Sequence, residues 1–320
     1  MKAIDKSDVQ ELLDDFCQEQ QLPESYHTIA TDYFVPLAKE IAEARQARAT
    51  SLPLFIGING CQGSGKSTLS ALLTSLLTNE HNLTVANLSI DDFYHTQQTR
   101  QQLARSIHPL FSTRGVPGTH DIELLQDTLH ELSYSNKSNK KVTIPRFNKA
   151  IDDRHNKELW DVIPCPVDII ILEGWCIGAS SQTEPELLKP VNVLESEEDK
   201  DSIWRKNINN IIQQDYVPLF EKMDQLIMLQ APNFDCVYKW RKKQEDKLRN
   251  QLIDKKTAQE KSTGVMDKVS LQRFIQHYQR LTEKMLATLP DKADVIFELN
   301  IDHQIIGRKD NATTHKHKNQ

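Results

Sequence analysis

The segment Gly60-Cys61-Gln62-Gly63-Ser64-Gly65-Lys66-Ser67 constrains this chain more than any other. Glycines at that spacing let the backbone curl so that successive amide N–H groups point inward, forming a cradle for phosphate oxygens. The flanking residues support that reading. Leu54-Phe55-Ile56-Gly57-Ile58, begun at Pro53, reads as a buried parallel strand, and Thr68 to Leu77 carries Leu69, Leu72, Leu73, Leu76 and Leu77 at helical spacing. The strand–loop–helix order sets the positive end of the new helix against whatever the loop holds. Gly60 through Thr68 are therefore expected to bind a nucleoside triphosphate, with the Lys66 amine on its terminal phosphates and the Ser67 hydroxyl on Mg²⁺.

Further strands are expected at Leu83 to Ile90, at Val167 to Leu172, at Leu226 to Leu229 and at Val295 to Leu299. Of these, Val167-Asp168-Ile169-Ile170-Ile171-Leu172 is the most apolar β-branched run in the chain and is expected to be a central strand. Alternation of such strands with helical segments predicts an α/β fold with a mainly parallel sheet flanked by helices. Ahead of it, Ser7 to Thr50 reads as helices with apolar faces at Leu12, Leu13, Phe16 and at Tyr33, Phe34, Leu37, Ala38, Ile41. Residues 1–50 are thus expected to form a helical appendage on a domain spanning 51–307, and 308–320 a disordered tail. Thr96 to Gln102 reads as an exposed stretch, Ser133 to Lys141 as a polar surface loop, and Glu195 to Asp201 as a solvated acidic loop.

Composition narrows the function. The 320-residue chain has a formal net charge of −6, which argues against a nucleic-acid partner. No apolar run reaches the roughly 18 residues that cross a bilayer, and Met1-Lys2-Ala3-Ile4-Asp5 does not open a signal peptide, so a cytoplasmic location without membrane attachment is expected. Five scattered cysteines (Cys17, Cys61, Cys165, Cys176, Cys236) lack metal-ligand spacing and read as reduced thiols. Alkylation of Cys61 could block the loop if that thiol were accessible.

Two carboxylate signals add chemistry to the loop. Leu88-Ser89-Ile90-Asp91-Asp92-Phe93-Tyr94 places two acids at the end of a strand, where α/β sheets open their ligand crevice. An acid there can orient or deprotonate an attacking hydroxyl in phosphoryl transfer. Glu173 ends the most apolar strand, where a buried carboxylate needs a cation, and Mg²⁺ on a triphosphate supplies one. The chain contains no Asn-Lys-x-Asp guanine-reading segment, which argues against a GTPase.

With these motifs in hand, the chain resembles the phosphoribulokinase, uridine kinase and pantothenate kinase group of P-loop NTPase fold. Arg114-Gly115-Val116-Pro117-Gly118-Thr119-His120-Asp121, Ile144-Pro145-Arg146-Phe147-Asn148-Lys149, Asp153-Arg154 and Leu172-Glu173-Gly174-Trp175-Cys176-Ile177-Gly178 make it similar to the D-glycerate 3-kinase branch, from about Leu54 to Ile305. The resemblance implies Asp91 as general base, with Asp92 as an alternative or a metal-side partner, and Glu173 as the Mg²⁺-associated carboxylate. It implies acceptor contacts from Arg114, His120 and Asp121. Arg146 and Arg154 form a second basic pair suited to an anionic acceptor, since a guanidinium grips a carboxylate in bidentate fashion. The basic cluster from Lys239 to Arg249 resembles a helical lid, about 233–265, from which Arg241 or Arg249 could clamp the phosphates. Gly264-Val265-Met266-Asp267 departs from the more familiar Gly-Met-Ser-Asp, and Phe147-Asn148 from Tyr-Asp. The second departure removes a charge, which opens the identity of the acceptor.

The expected activity is ATP- and Mg²⁺-dependent transfer of a phosphoryl group to a small, anionic, glycerate-like metabolite. Asp91, Lys66 and Arg241 would carry the chemistry, with metal at Ser67, Glu173 and Asp92. A nucleoside or pantothenate-type kinase is the alternative within enzymes. A regulatory ATP-binding module and a nucleic-acid-dependent ATPase are the alternatives outside that class.

Overall fold

The computed structural model describes residues 6–135, 140–243 and 268–311. Its strands are β1 (Leu54–Gly60), β2 (Val85–Ser89), β3 (Lys141–Ile144), β4 (Phe147–Asn148), β5 (Asp153–Arg154), β6 (Asp161–Pro164), β7 (Ile169–Gly174), β8 (Gln225–Gln230), β9 (Val295–Leu299) and β10 (Ile305–Asp310). Six of them form one sheet in the order β10-β9-β8-β1-β7-β2. All neighbours in it run parallel except β10, which returns antiparallel along β9.

The sequence explains this order. All six residues of β7 are buried, as a strand covered on both faces requires. Alternate side chains serve opposite layers: Ile169 and Ile171 join Ile56, Ile58, Ile227 and Leu229 in one cluster, while Ile170 and Leu172 join Leu226 and Met228 in the other. Against the first face lies the helix Lys66–Asn79, which buries Leu69, Leu72, Leu73, Leu76 and Leu77. The second face is covered by the helices Ile122–Tyr134 and Lys268–Thr288 through Leu125, Leu129, Leu281 and Met285.

Register brings the chemistry to one edge. Ile58 pairs with Glu173 across β1 and β7, and Ser89 pairs with Glu173 across β2 and β7. The phosphate loop, Glu173 and the turn after Ser89 therefore leave the sheet side by side at its carboxyl end.

The N-terminal helices (Lys6–Glu19, Ser25–Ile29, Val35–Ala47) precede β1 and pack on the core. Leu13, Phe16, Phe34, Leu37 and Ile41 belong to the same core cluster as β1, and the Phe34 ring meets Phe297 of β9 edge-on at 5.3 Å. Gln97–Ser106 is a helix, capped when Thr96 Oγ1 accepts from the Thr99 amide at 3.2 Å, and it buries Arg100 completely. The acidic run is not a solvated loop. Val193–Glu198 is helical, and Glu195 and Asp199 are buried against Arg280 and Arg205 at 2.6 and 2.9 Å. Arg308 to Asp310 complete β10, so the sheet runs past the expected domain end at 307. Lys141 opens β3 and is not loop. The remaining tail, Arg249, Gly264 to Asp267 and most of the expected lid lie outside the described residues.

Candidate active site

The phosphate loop leaves β1 at Gly60 and enters its helix at Lys66. Gly63 and Gly65 hold φ of +82° and +93°, a left-handed backbone that a side chain would strain. Space restricts Gly63 as well, because a Cβ there would lie 2.8 Å from Cβ of Trp240. Cys61 is buried, and burial first of all pushes its thiol up to about 12. It is a packing residue, closed to alkylation.

Glu173 is the loop's counterpart. Its Oε1 accepts a hydrogen bond from the Ser67 hydroxyl at 2.9 Å, and Lys66 Nζ stands 3.9 Å from Oε2. Glu173 is only 5% exposed, yet Oε2 has no hydrogen-bond donor among the described residues. A buried carboxylate oxygen left unmet beside a serine hydroxyl fits a hard divalent cation.

Asp91 follows β2 on the short helical turn Ile90–Phe93. One oxygen accepts from Lys149 Nζ at 2.7 Å and the other from the Tyr94 hydroxyl at 3.0 Å. Burial works to raise its pKa, but Lys149 and then Lys66 outweigh it and hold the carboxyl far below the usual range. Asp92 turns the opposite way. Its oxygens take the Phe147 amide at 3.1 Å and Arg146 Nη1 at 2.5 Å, tying the small β4–β5 hairpin to the sheet. Burial raises its pKa against the pull of Arg146. Successive residues of a tight turn diverge, so Asp92 clasps the hairpin and does not line the cleft that Asp91 faces.

The two strand ends and the loop meet in one cleft, lined by Gln62, Gly63, Lys66, Ser67, Asp91 and Glu173. Tyr94, Arg114, Lys149, Trp175, Arg241, Phe274 and Tyr278 complete its wall.

Other expected acceptor contacts lie elsewhere. Arg146 is engaged by Asp92 and by Asp161 at 2.8 Å, and Arg154 by Asp121 and the Tyr94 carbonyl, both at 3.0 Å. Neither lines the cleft. Asp121 caps the helix Ile122–Tyr134 by accepting from the Leu124 amide at 3.2 Å. His120 is buried, stacked on Tyr94 at 4.5 Å and hydrogen-bonded through Nδ1 to the Tyr216 hydroxyl at 2.8 Å. Burial pushes its pKa down to about 3, so it stands neutral and offers an acceptor no positive charge. Arg114 does reach the cleft, paired with Asp152 and lying 5.6 Å above the Phe147 ring.

Sequence reasoning passed over Lys149, Tyr94 and Tyr278. The signal for Lys149 was present in Phe147-Asn148-Lys149, but the neighbouring arginines drew the assignment. Tyr278 is marked by a steric trace: Gly115 has φ of +143°, and a Cβ there would lie 2.6 Å from the Tyr278 ring.

A parallel sheet with this loop and these strand-end carboxylates has the fold of a P-loop kinase. The sequence profile of the Phosphoribulokinase / Uridine kinase family matches residues 55–181. The chain is 30% identical over 261 residues to the uncharacterized kinase mug58 of Schizosaccharomyces pombe, covering 78% of this chain and 86% of that one. It therefore belongs to the phosphoribulokinase/uridine kinase family. It is also 28% identical over 244 residues to the chloroplastic D-glycerate 3-kinase of Arabidopsis thaliana, covering 74% of this chain and 48% of the plant protein. The structure of D-glycerate 3-kinase from Cryptococcus neoformans var. grubii superposes with a TM-score of 0.70, covering 90% of this chain and 100% of that one at 24% identity. That last likeness concerns the fold alone.

Proposed function

We propose that this kinase transfers the γ-phosphoryl group of ATP to a hydroxyl of a small hydroxy acid, with glycerate as the first acceptor to test. One observation carries the reading: Lys66, the Ser67–Glu173 pair and Asp91 converge on a single cleft whose wall also bears the cations Arg114 and Lys149. The backbone of Gly60 to Thr68 would cradle the phosphates, and Lys66 would neutralise charge on the moving group. Ser67 and Glu173 would hold Mg²⁺, which when bound shields the triphosphate. Asp91 would orient the acceptor hydroxyl and take its proton, and Arg241, at the cleft edge, would balance charge at the phosphates.

An anionic acceptor suits the two wall cations better than a nucleoside does. The Arabidopsis thaliana relative named as a D-glycerate 3-kinase supports the same class. No described helix is long and apolar enough to cross a membrane. Incubation with ATP, Mg²⁺ and a panel of hydroxy acids, nucleosides and pantothenate tests the proposal, read by ADP release and the mass of the product. Phosphorylated glycerate or another short hydroxy acid is expected. Product only from nucleosides or pantothenate overturns the acceptor class, and ATP binding with no acceptor-dependent ADP release makes the chain a regulatory module.

A further inference from the structure

Both oxygens of Asp91 are already occupied, one by Lys149 and one by Tyr94. An acceptor hydroxyl that reaches Asp91 therefore competes with these two for its lone pairs. Tyr94 is held in place: it is 2% exposed and stacked between His120 at 4.5 Å and the edge of Phe147 at 5.3 Å. Lys149 is less enclosed, and Glu173 attracts it from farther off. Its side chain is 60% exposed on a flexible stem, and its carboxylate partner at 2.7 Å is Asp91 itself. Nearby arginines differ, since Arg114 is paired with Asp152, Arg146 with Asp92 and Asp161, and Arg154 with Asp121.

We propose that the Lys149–Asp91 ion pair is a latch exchanged by the acceptor: the carboxylate of a hydroxy acid takes Lys149, and Asp91 is thereby released to the acceptor's hydroxyl. The inference rests on the phosphotransferase reading above and specifies its substrate class. Because the ammonium and the carboxylate touch, the groups that replace each of them must sit close together on the ligand. Acids with a hydroxyl on the α or β carbon meet that requirement, whereas neutral polyols cannot engage Lys149. Once the latch is exchanged, the acceptor oxygen forms its bond to the γ-phosphorus and the bond to the bridging oxygen breaks. ADP leaves with that electron pair, and the hydroxyl proton passes to Asp91. Without an acid, Asp91 stays paired and water is poorly oriented, so ATP is spared.

The test compares wild type, Lys149→Met and Lys149→Arg for ADP release with ATP and Mg²⁺ alone, with D-glycerate and with glycerol. In wild type, glycerate should stimulate turnover and glycerol should not. In Lys149→Met, hydrolysis without acceptor should rise about tenfold while glycerate-stimulated turnover falls about tenfold, as expected for one lost charged hydrogen bond. Lys149→Arg, which keeps the cation, should return both rates toward wild type. A merely structural role would lower both rates together, and that result, or unchanged rates in Lys149→Met, overturns the latch alone. Absence of ADP release from wild type with every hydroxy acid would overturn the kinase reading and the latch with it.

Discussion

Ser67 donates its hydroxyl hydrogen to Glu173 Oε1 at 2.9 Å, across 106 residues of sequence. The bond fixes the first residue after the loop lysine to the end of β7, the strand between β1 and the edge strand β2. It also leaves Oε2 facing the cleft side of Lys66, buried and unmet. Such an arrangement favours ligand binding over the stability of the free protein, because an unmet buried carboxylate oxygen is unfavourable until a cation arrives.

Replacing Glu173 with Gln should separate those two effects. The free protein should gain no more than about 1 kcal/mol, since removing the buried charge also leaves Lys66, 3.9 Å from Oε2, without its carboxylate partner. The thermal stabilisation given by ATP with Mg²⁺ should shrink, and turnover should fall at least a hundredfold. Melting curves with and without nucleotide and Mg²⁺ check the first two outcomes, and ADP release the third.

Asp91→Asn should leave ATP affinity nearly unchanged while turnover falls roughly a hundredfold or more. Asparagine keeps the size and the Tyr94 contact but takes up no proton. Equal turnover in mutant and wild type would remove Asp91 from the base role.

Acid should weaken the fold through His120. Burial holds its folded pKa at about 3, below the ordinary value of 6.5, so the unfolded chain binds the proton more readily. Stability from this group is complete above about pH 6.5 and is lost as pH falls from there toward 3, by up to ~1.4 kcal/mol per pH unit. His277, pushed down to about 4 by burial, acts in the same direction. Denaturant midpoints between pH 4.5 and 7.5 should therefore climb with pH, and His120→Gln should flatten part of that slope.

Phe34→Ala should cost about 3–5 kcal/mol, the usual range for emptying a buried aromatic site. Phe34 is 3% exposed and faces Phe297 of the sheet. Urea unfolding gives the value. A loss below 1 kcal/mol would show that the N-terminal helices are dispensable to the core after all.

The central strands, the phosphate loop and Glu173 were legible because each depends on local pattern: an unbroken apolar run, glycine spacing, an acid at a strand end. Residues that depend on the small hairpins were not. β4 and β5 are two residues each, too short to leave an alternating signature, yet their register decides that Lys149 faces the cleft while Arg146 and Arg154 do not. Composition also misled at Glu195 and Asp199. An acidic run reads as solvated until its partners are known, and Arg280 lies 85 residues away in sequence.

Trp240 rests against Gly63 at one side, tilts toward the His303 ring at 4.7 Å, and donates its indole N–H to the Ile301 carbonyl at 3.1 Å. An indole so placed is a built-in optical probe of the donor site. Its emission should report nucleotide arrival without any label, and binding of the donor can then be timed separately from the chemistry that follows.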